Sequence, residues 1–131
     1  MQSRKIYQGL GLAIWLCGSM VAVHAETVLQ PIQKLSQAEY NTKIQHYTDQ
    51  VNGSKSILDV EGTTASAQEQ TQAFCTRLNA YHQILKLSQE NPELEMANHM
   101  QFAAQHYLKQ QRDSMQASGL NESAFCASKD K

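Results

Sequence analysis

The side chains that could do chemistry in this chain, once its first 25 residues are set aside, are His46, His82, His99, His106, Cys75 and Cys126, with a scatter of carboxylates. Two imidazoles on one helix chelate a single ion when they stand four residues apart, and no pair here has that spacing. His99 and His106 are seven apart, which aligns them on one face but separates them by about 10.5 Å along a helix axis. Met96, His99 and Met100 offer two thioethers and an imidazole, a soft set suited to Cu(I). On a helix, however, His99 points about 100° away from Met100, so the three diverge.

A haem bundle with Met and His axial ligands from different helices is the other cofactor option, and no Cys-x-x-Cys-His motif supports it. Cys75 and His82 are again seven apart, too far for a thiolate–imidazole dyad. Asp59 and Glu61 stand on a connector without a basic or nucleophilic neighbour in sequence, which suits a solvated loop better than an acid–base pair. Gly-rich phosphate loops, nucleophile elbows and Cys-x-x-Cys pairs are missing from the sequence. The expectation is a protein that is not an enzyme and has neither metal nor cofactor. A small metal- or haem-binding bundle is the alternative.

The amino terminus reads as an address. Arg4 and Lys5 precede an uncharged apolar run, Leu10 to Val23, that closes on Val23-His24-Ala25, the pattern of a secretory signal cleaved after Ala25. The run is shorter than the roughly 20 residues a spanning helix needs, so no stable membrane insertion is expected after cleavage. Cys17 follows Ile14-Trp15-Leu16, bulky residues where bacterial lipidation signals have small ones, and this argues against a lipid anchor. An exported chain is periplasmic where the cell has two membranes and secreted otherwise. Export leaves Cys75 and Cys126 as an even pair in an oxidising compartment, which predicts one disulfide. Closing a loop of that length is worth about 4 kcal/mol by chain-entropy reasoning.

The whole chain has 131 residues, with 11 Lys+Arg against 12 Asp+Glu. Removing residues 1–25, with Arg4 and Lys5, leaves 106 residues, nine basic against 12 acidic, a net charge of −3. Mild acidity without a basic patch argues against nucleic acid as a partner.

Around these residues the expected fold is all-α: a small up-down-up antiparallel three-helix bundle with a short fourth helix stapled by the disulfide. Residues 26–35, with Pro31, read as an extended arm, and 36–131 as the bundle. Ser36-Gln37-Ala38-Glu39 is a capping box, with Leu35 placed to staple Tyr40. It opens a first helix, with a stripe of Tyr40, Ile44, Tyr47 and Val51, from about Gln37 to Gln50; Asn52-Gly53 should end it. A connector over 53–65 leads to a second capping box, Ser66-Ala67-Gln68-Glu69. The second helix carries Phe74, Leu78, Tyr81 and Leu85 on one stripe, flanked by Ala73, Ala80 and Ile84. Asn91-Pro92 should stop it and start the third, which ends at Ser118-Gly119. Leu120-Asn121 then caps a short helix carrying Cys126.

Two surfaces stand out. On the third helix Phe102, His106 and His99 fall about 140–160° round from the apolar stripe, so an aromatic flanked by histidines points outward. Either the arm or the C-terminal turn covers Phe102, or these residues form a partner-binding patch, since aromatic anchors are enriched at interface hot spots. Ile57, Leu58 and Val60 on the connector raise the same choice between capping the bundle's end and forming a docking loop steered by Asp59 and Glu61.

The function expected is binding of another macromolecule in the cell envelope. The protein would be an inhibitor or immunity-type protein, or an accessory, chaperone-like one, through His99, Phe102, His106, Ile57, Leu58 and Val60. Phe102 could equally seat a second copy, giving a homodimer.

Overall fold

The computed structural model describes residues 34–127, and these form an all-α bundle. The helices are α1 (Gln37–Leu58), α2 (Ala67–Glu90), α3 (Ala97–Ala117) and α4 (Glu122–Ala127). The expected signal, residues 1–25, and the arm as far as Gln33 lie outside the described residues.

Both capping boxes form. Glu39 N–H donates to Ser36 Oγ and Ser36 N–H to the Glu39 carboxylate, and Ser66 and Glu69 repeat the exchange. These reciprocal bonds fix where α1 and α2 begin. At the other end of the chain, Gly119 takes a left-handed φ of 71°. Leu120 N–H then reaches Met115 O while Gly119 N–H reaches Gln116 O, so the Schellman geometry closes α3. Asn121 Oδ1 accepts Ala124 N–H and starts α4.

The central helix is α2, against which α1, α3 and α4 each pack. It buries two faces. Ala73, Arg77, Ala80, Ile84 and Ser88 form the deeper one; on it Arg77 bonds Ser54 and Ser88 bonds Tyr40, both from α1. Phe74, Leu78, Tyr81 and Leu85 form the other; there Tyr81 stacks on Tyr107 of α3 with centroids 4.0 Å apart, and Phe74 meets Phe125 of α4 edge-on. The Cys75–Cys126 disulfide joins α2 to α4 with Cα atoms 5.7 Å apart, as the cysteine pair predicts.

Two boundaries depart from the sequence expectation. The first helix continues through Asn52-Gly53 for two further turns, to Leu58. A mid-helix glycine costs only about 1 kcal/mol, and the added turns bury Val51 and Ser54 and place Ser54 Oγ 2.6 Å from Arg77 Nε. The connector shrinks accordingly to residues 59–66.

The third helix begins at Ala97 rather than at Pro92. Asn91 cannot cap it, because its side chain is engaged backwards: Oδ1 accepts Leu35 N–H at 3.0 Å and Nδ2 donates to Leu87 O at 2.9 Å. The chain makes two successive tight turns instead, Leu94 N–H to Asn91 O and Ala97 N–H to Leu94 O. Met96 then adopts a left-handed φ of 66°, a conformation that disfavours side chains with a Cβ. Gln37 braces this corner by accepting Glu95 N–H at 2.8 Å, and Lys34 pairs with Glu93 at 2.7 Å. The starts of α1 and α3 are thereby fixed side by side.

Candidate functional site

Helical periodicity decides which α3 residues face inward. Ala97, Ala104, Leu108 and Met115 are buried, and the opposite side of the same cylinder carries His99, Phe102 and His106, all exposed. Phe102 is 70% exposed, the most of any large apolar residue described. Its ring lies nearly parallel to that of His106, at 14° with centroids 6.3 Å apart, as expected for neighbours at i and i+4. Further along the same side Lys109 pairs with Asp113 at 2.6 Å. The C-terminal turn does not cover Phe102, because α4 packs on α2.

The second group lies elsewhere. Ile57 and Leu58 belong to the last turn of α1, not to a docking loop, and both are half-buried. Ile57 lines a groove between α1 and α2 with Gly53 and Ala73, and Leu58 lines another with Phe74 and Phe125. Val60 alone is exposed, at 53%. The start of α3 adjoins the start of α1, whereas these three residues stand at the far end of α1. The structure therefore does not unite them with His99, Phe102 and His106 in one patch.

Several alternatives are reshaped by the geometry. The Cys75 sulfur is in the disulfide, and His82 lies against the Glu122 carboxylate with Nε2 and Oε1 2.9 Å apart. Met96, in its left-handed conformation ahead of α3, is out of helical register with His99 and Met100. Among the described residues no three His, Cys, Asp or Glu side chains converge as a metal-binding group, and no helix is long and apolar enough to cross a membrane.

The sequence reading missed Arg77 and misread Asp59. Arg77 is 9% exposed in the middle of α2. It donates from Nε to Ser54 Oγ at 2.6 Å and from Nη1 to Asp59 Oδ1 at 2.8 Å. Asp59 is therefore an ion-pair partner at the end of α1, not a free loop carboxylate. The hydrogen bond from Arg77 holds its carboxyl below the usual range. Burial works against the charge on Arg77, but the Asp59 carboxylate and the nearby Tyr107 hydroxyl outweigh that and raise the guanidinium's pKa. Burial likewise pushes the Tyr107 phenol up, against the pull of the same guanidinium. Arg77 Nη2 is buried without a hydrogen bond. A usable signal was present in sequence: an arginine on the stripe of Ala73, Ala80 and Ile84 requires a buried partner. Through its bonds to Ser54 and Asp59 this cluster ties α2 to the last turns of α1.

Comparison of this chain with protein-family models, with curated proteins and with solved structures finds no match.

Proposed function

We propose that this protein is exported to the cell envelope and works there by binding another macromolecule, as an inhibitor or immunity-type protein or as an accessory, chaperone-like one. The observation that carries the reading is Phe102, an aromatic ring 70% exposed on the outward side of α3. Exposing one apolar residue is ordinary. This ring, however, is stacked on His106 on a long helix with His99 close by, and rigid aromatic surface of that kind supplies interface anchors. The apolar N-terminal run and the Cys75–Cys126 disulfide support export.

The test is capture from envelope extract with the exported chain, run in parallel with Phe102→Ala and read by mass spectrometry. A protein retained by the wild type and lost with Phe102→Ala supports the reading and identifies the partner. Identical captures by both, or none above background, remove Phe102 as the anchor.

A further inference from the structure

A helix of only six residues, as α4 is, does not persist by itself in water. It is joined to α2 by the Cys75–Cys126 bond, by the edge-on contact of Phe125 with Phe74 and by the His82–Glu122 pair. The side chains of that pair are 48% and 40% exposed, and an ion pair so open to solvent adds little. Nor is α4 part of the core: none of its residues is buried, whereas Tyr40, Ala80, Ile84 and Ala104 are buried in the three long helices. Phe125 borders two grooves, one shared with Leu58, Thr71 and Phe74, the other with Thr71, Leu120 and Ala124, and no charged side chain lines either.

We infer that the Cys75–Cys126 disulfide is a redox-operated latch: oxidised, it keeps α4 against Phe74, and reduced, it releases α4 and opens an uncharged apolar face of Leu58, Thr71 and Phe74 while α1, α2 and α3 stay folded. A dithiol works the latch. Its thiolate attacks one sulfur of the Cys75–Cys126 bond and expels the other as a thiolate. Its second thiol then closes on the mixed disulfide, so the dithiol leaves as a cyclic disulfide and the protein keeps two thiols. A disulfide reagent drives the same exchange backwards. The latch lies on α2 and α4, so it stands whether or not the Phe102 face of α3 binds a protein.

The test compares the oxidised protein with protein reduced by dithiothreitol under native conditions, the freed Cys75 and Cys126 thiols being confirmed by alkylation and mass spectrometry. The dye ANS, which brightens on exposed apolar surface, is the probe. Reduction should raise its fluorescence severalfold, while far-UV circular dichroism loses no more than the share of the six α4 residues. Reoxidation with oxidised glutathione should restore the starting signal. The double variant Cys75→Ser, Cys126→Ser should be bright without reductant, and adding Phe74→Gln should dim it. Unchanged fluorescence after confirmed reduction would overturn the inference. So would a rise accompanied by loss of the helical signal of the whole bundle, since the apolar surface would then come from unfolding and not from the release of α4.

Discussion

Arg77, buried at the middle of α2, holds Asp59 at the end of α1 through an Nη1–Oδ1 bond of 2.8 Å that spans 18 residues of sequence. The pair is lopsided: the arginine side chain is 11% exposed and the aspartate 47%. Removing the arginine leaves Asp59 with access to water but takes a large side chain out of the interior and strips Ser54 of its donor. Arg77→Ala should therefore destabilise the protein by about 2–3 kcal/mol, from the cavity left in the interior and the lost bond to Ser54. Arg77→Met, which keeps most of the volume, should recover part of this. Chemical denaturation of the three proteins gives the comparison, and an Arg77→Ala midpoint equal to wild type would show that the buried arginine contributes nothing.

Acid should weaken the fold through the same aspartate. Arg77 lowers the Asp59 pKa, and the hydrogen bonds from Ser36 and Ser66 lower those of Glu39 and Glu69. A carboxyl whose folded pKa is depressed contributes in full above its unfolded value and loses that contribution as pH falls through the folded one. Thermal midpoints should hold near neutrality and drop below about pH 4, the ordinary carboxylate range. Asp59→Asn should flatten part of that drop while lowering the midpoint at pH ~7.

Gly53 lies inside α1 without a positive φ, and a Cβ added there meets nothing within 4 Å. Alanine should fit without strain and restrict the unfolded chain. Gly53→Ala is expected to stabilise the protein by about 0.5–1 kcal/mol. A lower melting temperature in the variant would contradict the helix continuing through this position.

α4 is six residues long and buries none of them fully. It is held to α2 by the disulfide, the Phe74–Phe125 contact and the His82–Glu122 pair. Reduction should cost about 4 kcal/mol on the chain-entropy estimate. Hydrogen exchange should then speed up first at 122–127, leaving the amides of α2 protected. Unchanged exchange in α4 after confirmed reduction would mean that the disulfide is not what holds the helix.

Phe102→Ala should alter stability by less than about 1 kcal/mol, as surface substitutions do. A loss of about 3–5 kcal/mol, the range for a core phenylalanine, would place the ring in an interface already formed, such as a homodimer. Sedimentation of the wild-type chain separates that case from a monomer.

Much of this architecture was legible in the sequence because its signals are local. Ser36 with Glu39 and Ser66 with Glu69 stand three residues apart, so each helix start is written within one turn. The same holds for Gly119 at the end of α3 and for Asn121 before α4. Periodicity along α3 was enough to put Phe102, His99 and His106 opposite the buried Leu108 and Met115. Ile57 and Leu58 were misplaced for a reason equally plain: Asn52-Gly53 reads locally as a stop, and the force that carries the helix past it comes from Arg77.

Sequence alone thus determined the number of helices, three of their starts, the cysteine pairing and the outward side of α3, all set by neighbours within a turn or by elimination. Only the tertiary structure decided how far α1 runs, where α3 begins and what Asp59 is for. Those outcomes rest on bonds from Arg77 to Ser54 and Asp59, from Leu35 to Asn91 and from Glu95 to Gln37. Each joins residues 18 to 58 positions apart, far beyond the single turn within which capping and periodicity signals act.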